Sequence, residues 1–176
     1  MKQIVLASNN KGKLAELQAM FAPLGLQLIA QAELNISEAE EPFHTFVENA
    51  LAKARHASRI SGLPALADDA GLCVDAFNGL PSVQTAFYCT QFGYEKSDDN
   101  NRRALLEQMQ NTINRRAALV STLVALRHAD DPEPLIASGR AVGEITRELR
   151  GDKGFGFDPV MFIPEMNMTF AEMSET

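Results

Sequence analysis

The chain opens with an apolar run at residues 4–7, which is followed by a polar loop at residues 8–13 and then by apolar residues at helical spacing. A strand, a loop and a helix in this order are typical of an α/β fold. The N–H groups at a helix start point outward, and the helix dipole favours an anion there. The segment therefore predicts a phosphate site, although a polar turn before a helix is also an ordinary helix cap. The candidate residues are Ser8, Asn9, Asn10, Lys11, Gly12 and Lys13.

Composition limits the class of protein. The 176 residues fit one domain, and 45% hydrophobic with 22% charged residues is typical of a globular protein. The net charge of −7 argues against non-specific binding to nucleic acid or to an anionic membrane. The start of the chain does not resemble a signal peptide, and the longest apolar stretch, residues 117–126, is too short to span a bilayer. We therefore expect a cytoplasmic protein.

Cys73 and Cys89 form no CxxC motif and are expected in the core.

Apolar periodicity and turn residues predict strands that alternate with helices. The predicted strands are 3–7, 26–30, 63–67, 72–77, 116–126, one or two within 135–148 broken at Gly139 or Gly143, and 160–163. The predicted helices are 12–22, 45–60, 97–109 and one that begins at Thr169. Thr45 and Glu48 have the spacing of a capping box. This order predicts an α/β fold with a mixed sheet.

Two adjacent carboxylates, Asp68 and Asp69, are expected to interrupt an apolar strand before Ala70 and Gly71. Adjacent like charges are costly to bury unless a cation or hydrogen bonds compensate them. They could belong to a solvated turn, but they lie where a core strand ends. Strand ends are where α/β sheets place their ligands. We therefore favour a functional pair.

A second acidic group, Glu38, Glu40 and Glu41, precedes the predicted helix 45–60. It is either a solvated loop or the source of a second carboxylate for Mg²⁺, which prefers one or two carboxylates together with phosphate oxygens and waters. On the helix itself, Asn49 and Lys53 share a face at i,i+4 spacing, and polar residues with this spacing most often lie on the surface. The residues alone do not choose between these readings.

A glycine-rich loop at residues 154–159 combines two glycines with Phe155, Phe157 and Asp158. Glycines permit close backbone approach, and a phenyl ring can stack on a base. The other reading is a hairpin corner with both rings in the core. Walker, GxGxxG, HExxH and GxSxG motifs do not occur.

Taken together, these segments resemble the inosine triphosphate pyrophosphatase family, also described as dITP/XTP pyrophosphatases. Four segments match in the family's order and spacing, and TFAEMS at 169–174 continues the match. They are LASNNKGKLAEL at 6–17, EEPFHTFVENALAKAR at 40–55, ALADDAGLCVDAFNGLPSV at 65–83 and RGDKGFGFDPVMFIPE at 150–165. The resemblance covers essentially the whole chain.

The resemblance implies a homodimeric α/β fold with an elongated mixed β-sheet flanked by helices, and two lobes with an active-site cleft between them. It implies Mg²⁺-dependent hydrolysis of dITP, ITP or XTP to the monophosphate and pyrophosphate, which cleanses the nucleotide pool. By the same resemblance, residues 8–13 would hold the triphosphate and Asp69 would be metal ligand and proton acceptor. Glu40 would be the other ligand, and the substrate would also contact Ala70, Phe155, Gly156, Phe157 and Asp158.

The chain departs from the family pattern in three places. Ala70 stands where the family usually has Ser, and residues 82–88 lack the family's Arg. Residues 1–176 are expected to form one domain without the family's C-terminal tail, which carries a Lys and a Ser-His-Arg segment. Two alternatives follow: a catalytically impaired nucleotide-binding homologue, and a Maf-type pyrophosphatase for other modified nucleotides, whose opening loop typically has Ser-Pro-Arg-Arg.

Overall fold

The structure is a computed structural model that describes residues 2–174. Within that range the strands are β1 Lys2–Leu6, β2 Leu26–Ala30, β3 Ala65–Val74, β4 Arg116–Leu126, β5 Leu135–Ile145, β6 Met161–Ile163 and β7 Met168–Thr169. The α-helices are α1 Lys11–Phe21, α2 Phe46–Ser61 and α3 Asp98–Gln108. Within the described part, no helix has the length and apolar composition needed to cross a membrane.

The described strands form one mixed sheet in the order β2-β1-β3-β4-β5-β6-β7. β1 is parallel to both β2 and β3, whereas β6 is antiparallel to β5 and β7. Parallel neighbours require crossover connections, and here α1 and α2 supply them. The predicted α/β class with a mixed sheet is confirmed.

The described residues divide into two compact units. The first contains the chain up to Asp69 together with Ser121–Ser138, and β1 runs through its core. Val5 packs with the small residues of α2 on one face of β1, whereas Leu6 packs against α1 on the other. Because successive strand residues point to opposite faces, this one strand positions both helices.

The second unit contains Ala70–Val120 and the described residues from Gly139 onward. Its core joins Leu105 of α3 to Leu72, Ile145, Phe157 and other buried residues. Ser97 caps α3 by accepting the N–H of Asn100 at 3.0 Å. The N-terminal end of α3 is thereby fixed.

Several predicted boundaries were wrong. β3 continues through residues 68–71 without interruption, and β5 continues through Gly139 and Gly143, neither of which has a positive φ. A Cβ at Gly143 would lie 2.1 Å from the carbonyl oxygen of Phe162, so this glycine permits close strand pairing rather than a break. The predicted helix at Thr169 is a 3₁₀ turn, Phe170–Glu172, and the 3₁₀ segment Ser82–Phe92 was not predicted.

Candidate active site

The segment at residues 8–13 consists of the loop 8–10, which connects β1 to α1, and the first residues of α1, and its own side chains hold it. Asn10 is the N-cap of α1, and its Oδ1 accepts the N–H of Lys13 at 3.1 Å. Ser8 Oγ accepts the N–H of Asn10, also at 3.1 Å. A Cβ at Gly12 would lie 3.3 Å from Asn10 Oδ1, which is a tight contact. The segment is therefore a capped helix start. A helix cap at this position is compatible with binding of an anion by the same segment.

Lys13 extends from the first turn of α1 to Asp68 of β3. Its Nζ donates to Asp68 Oδ2 at 2.5 Å. Asp68 is only 5% exposed, and among residues 2–174 its other oxygen, Oδ1, has no hydrogen-bond partner. A buried carboxylate needs a counter-charge, and Lys13 provides it.

Asp68 and Asp69 belong to opposite faces of β3. Leu66 packs with apolar residues of α1, whereas Ala67 packs with the small residues of α2. Because side chains alternate along a strand, Asp68 belongs to the face that carries α1 and Asp69 to the face that carries α2. Asp68 is buried, Asp69 is half-buried and Ala70 is exposed. The two carboxylates are thus adjacent in sequence but separated by the strand.

The acidic segment before α2 is attached to its surroundings by side chains. Asn49 of α2 accepts the N–H of Phe43 at 3.1 Å and donates to the Phe43 carbonyl at 3.2 Å. Glu41 pairs with Lys53 at 2.8 Å. The i,i+4 pair Asn49 and Lys53, for which solvent exposure was the usual expectation, differs from that expectation: Asn49 is buried, and Lys53 forms an ion pair.

Glu38 and Glu40 of this segment have different surroundings. Glu38 accepts a hydrogen bond from Asn9 of the opening loop at 3.0 Å, which joins the acidic segment to that loop. Glu40 is exposed and, among residues 2–174, its carboxylate has no hydrogen bond or ion pair. Of the three glutamates, Glu40 is therefore the one with its carboxylate available.

The oxygen donors of this unit are compatible with a divalent cation that is shared with a ligand. Within the described range, no group of three or more Asp, Glu, His or Cys side chains could form a metal cage. Mg²⁺ does not need such a cage, because it is bound through one or two carboxylates together with phosphate oxygens and water. The two carboxylates that are expected as ligands, Asp69 and Glu40, are of that chemical type.

The glycine-rich loop belongs to the second unit, and its two phenylalanines differ in burial. Phe157 is 3% exposed and packs in the core, whereas Phe155 is 68% exposed. Asp158 Oδ2 accepts the N–H of Phe155 at 3.0 Å, and burial raises the pKa of the Asp158 carboxyl. Gly154 has φ +73°, and a Cβ there would lie 2.1 Å from Asp158 Oδ2. The loop shape therefore requires glycine at 154 and presents one ring to solvent.

Two residues of α3 also contact this loop, and sequence reasoning did not select them. Asp98 Oδ2 accepts the N–H of Gly156 at 2.8 Å, and Arg102 Nη1 donates to the Gly156 carbonyl at 2.6 Å. In the sequence, Asp98 lies at the start of the predicted helix 97–109. The available signal was the i,i+4 spacing of an acidic and a basic residue, which puts both on one helix face.

The mixed sheet with helices on both faces of β1 defines an α/β protein. The profile of the Ham1 family matches residues 4–176, and the chain belongs to this family.

Curated relatives are similar over nearly the whole chain. One from Albidiferax ferrireducens is 75% identical over 171 residues, which are 97% of this chain and 86% of that protein. One from Burkholderia pseudomallei is 56% identical over 171 residues, 97% of this chain and 82% of that protein. Both are named dITP/XTP pyrophosphatase.

Solved structures agree with the fold. A HAM1 protein from Coxiella burnetii has a TM-score of 0.93 at 41% identity and covers 99% of this chain and 88% of its own. A nucleoside-triphosphatase / dITP/XTP pyrophosphatase from Mycobacterium abscessus has a TM-score of 0.84 at 34% identity and covers 98% and 89%, respectively.

Proposed function

We propose that this chain hydrolyses non-standard purine nucleoside triphosphates (dITP, ITP and XTP) to the nucleoside monophosphate and pyrophosphate. The family supplies the reaction class, since relatives up to 75% identical carry the name dITP/XTP pyrophosphatase. The geometric observation behind the site assignment is the contact of Lys13, in a helix-start loop, with the carboxylate that precedes Asp69. The candidate anion-binding loop is thereby joined, in one unit, to the strand that carries the candidate base, whose side chain points to the opposite face of that strand.

The loop at residues 8–13 is proposed to bind the triphosphate. The N–H groups at the start of α1 and the helix dipole favour a phosphate there. The side chains of Ser8 and Asn10 keep the loop backbone in place, so little ordering is needed when the ligand binds. Lys11 and Lys13 add point charges.

Asp69 is proposed to act as the proton acceptor, and with Glu40 as a ligand of Mg²⁺. A water molecule that loses its proton to the Asp69 carboxylate forms the new P–O bond, and the α–β anhydride bond breaks to release pyrophosphate. Mg²⁺ bound by these carboxylates would neutralise charge on the phosphate oxygens. No covalent intermediate is needed, which agrees with a sequence that has no nucleophile motif.

The nucleoside end is assigned to Ala70 and to the loop Phe155, Gly156, Phe157 and Asp158. The exposed ring of Phe155 is the one able to stack on a base. Phe157, buried in the core, would act by anchoring the loop. We extend the proposal to a homodimer in the cytoplasm, where the nucleotide pool is found.

A substrate panel tests the proposal. The protein is incubated with Mg²⁺ and ITP, XTP, dITP, GTP, ATP or methylated pyrimidine triphosphates, and the released pyrophosphate is measured. Release from the first three substrates is expected. Tight ITP binding without release from any substrate would favour the impaired homologue, for which Ala70 is the motivating residue. Release only from the methylated pyrimidines would favour a Maf-type enzyme.

A single substitution tests the proposed base. Asp69→Asn is expected to reduce turnover by at least about a hundredfold, since general base catalysis contributes that much. The matched control is Asp130→Asn, because Asp130 is an exposed aspartate of the same unit. Both variants should melt like the unmodified protein. Unchanged turnover in Asp69→Asn would remove Asp69 as the base.

A further inference from the structure

Both backbone groups of one residue in the glycine-rich loop are bound by one helix. Gly156 donates its N–H to Asp98 and offers its carbonyl oxygen to Arg102, and these residues are one turn apart on α3. Both contacts involve a charged side chain, which makes them stronger than neutral hydrogen bonds. They fix the position and the orientation of the peptide groups on either side of Gly156.

The helix that makes these contacts is itself anchored by buried side chains and hydrogen bonds. Leu105 and Met109 are fully buried, and Asn101 bonds to the backbone of the 3₁₀ segment at Cys89 (2.8 Å) and Ala86 (3.0 Å). Arg102 is held in turn by an ion pair with Asp99. The two contacts therefore tie the loop to a fixed part of its unit.

The loop needs this support because its own packing is sparse at Gly156. This glycine has φ +56°, and apart from Gly156 itself and its two chain neighbours no residue of the described range has an atom within 4 Å of where a Cβ would stand. A glycine in this conformation loses much backbone freedom when it is ordered. Phe157 anchors one side of Gly156 in the core, whereas Phe155 on the other side is exposed. The contacts from α3, together with the hydrogen bond from the Phe155 N–H to Asp158, thus determine where the Phe155 ring is presented.

We propose that Asp98 and Arg102 are positioning residues, which hold the 155–158 loop in the geometry that receives the nucleoside end of the substrate. This inference rests on the proposed function. It adds two residues that touch neither phosphate nor base and that act through the backbone of Gly156. Removing either should weaken binding of the nucleoside and leave binding of the phosphates unchanged.

The experiment compares Asp98→Ala and Arg102→Ala with Arg103→Ala. Arg103 is the neighbouring arginine of the same helix, and it pairs with Glu107 on an exposed face. For the first two variants, KM for ITP is expected to rise about tenfold with little change in kcat, since one charged hydrogen bond is lost. For Arg103→Ala, KM should be unchanged.

Two further measurements separate positioning from general loosening of the fold. The inhibition constant of inorganic tripolyphosphate, which has no nucleoside, should stay within about twofold in every variant. Asp98→Asn should avoid most of the KM increase expected for Asp98→Ala, because its amide oxygen can still accept the N–H of Gly156. Asp98 is exposed, so its variants test the inference even if Arg102→Ala does not fold.

These measurements distinguish failure of the proposed function from failure of the positioning inference. If the unmodified protein releases no pyrophosphate from ITP, the proposed function is wrong and this inference is wrong with it. If it is active but Asp98→Ala and Arg102→Ala keep the KM of Arg103→Ala, only the inference is overturned. A parallel rise of KM for ITP and of the tripolyphosphate constant would also overturn it.

Discussion

The ammonium nitrogen of Lys13 lies 2.5 Å from Oδ2 of Asp68, which joins the candidate phosphate loop to the strand that carries the candidate base. The lysine side chain is 30% exposed and that of Asp68 only 7%. The pair is therefore open to a ligand on the lysine side and closed on the aspartate side. A bound phosphate would share the Lys13 charge with Asp68 rather than find it free.

Lys13→Ala should reduce both stability and phosphate affinity. It leaves the buried Asp68 carboxylate without its counter-charge, so the free energy of unfolding should fall by about 1–3 kcal/mol. The double variant Lys13→Ala/Asp68→Asn should recover much of this stability and none of the affinity for inorganic tripolyphosphate. Urea denaturation and inhibition assays measure the two effects.

The exposed neighbour Lys11 supplies the control for this stability effect. Lys11→Ala should denature at the same urea concentration as the unmodified protein, since among residues 2–174 this side chain has no ion pair. A Lys13→Ala variant as stable as Lys11→Ala would contradict the importance of the Lys13–Asp68 pair.

Glu40 and Glu41 should respond differently to substitution. Glu40→Gln should raise the Mg²⁺ concentration for half-maximal activity by at least about tenfold, because a proposed ligand is lost. Glu41→Gln should instead lower the free energy of unfolding by no more than about 1 kcal/mol, since it removes a partly exposed ion pair with Lys53. A Mg²⁺ titration of both variants decides the matter, and the reverse ranking would transfer the ligand role to Glu41.

Asn49→Ala should detach the acidic segment from α2. Asn49 is 2% exposed and makes both hydrogen bonds to the backbone of Phe43, so the free energy of unfolding should fall by about 1–3 kcal/mol. The matched control is Arg59→Ala on the same helix, where the side chain is largely exposed and stability should hardly change. If Glu40 binds the metal, Asn49→Ala should also raise the Mg²⁺ requirement. Equal denaturation midpoints for the two variants would contradict this role of Asn49.

Asp131 should make the stability of the first unit sensitive to acid. Its carboxylate accepts hydrogen bonds from the Arg127 side chain at 2.6 and 2.8 Å and from the N–H groups of Arg127 and Glu133, and these hold its pKa well below the usual range. The folded pKa is thus below the unfolded value of about 3.9. The stabilisation is complete above that value and is lost as the pH falls toward the folded pKa.

The matched variants for this acid dependence are Asp131→Asn and Asp130→Asn. Asp131→Asn should be less stable at pH 7 and show a flatter loss of melting temperature below about pH 4, because the titrating group is gone. Asp130→Asn should retain the acid dependence of the unmodified protein. Identical profiles for all three proteins would show that Asp131 does not control the acid response.

Helix α2 shows how much local sequence determines. Thr45 and Glu48 predicted its start, and the structure confirms Thr45 as the N-cap, with its hydroxyl oxygen 3.3 Å from the N–H of Glu48. The cap and the apolar periodicity involve residues within a few positions of each other, so sequence alone reveals them. The mixed α/β class followed from the same kind of signal.

β3 and α3 show what local sequence could not determine. The strand passes through Asp68 without a break because Lys13, 55 positions away, supplies the counter-charge. The contacts of Arg102 with Gly156 join residues 54 positions apart. Neither pairing leaves a periodic trace in the sequence. The different burial of Phe155 and Phe157 depends in the same way on the tertiary core.

The alternation along β3 gives the order of the two aspartates a consequence for the evolution of the chain. Insertion or deletion of one residue between Ala65 and Asp68 would exchange the faces to which every later residue of the strand points. The aspartate beside Lys13 would then turn toward α2, and its neighbour would turn toward α1. A point substitution in this stretch changes the contacts of one side chain. Insertion or deletion of a single codon instead moves every later side chain of the strand to the opposite face. We therefore expect the spacing from β1 to Asp69 to change only through lengthening of the connecting loops, and never within the strand itself.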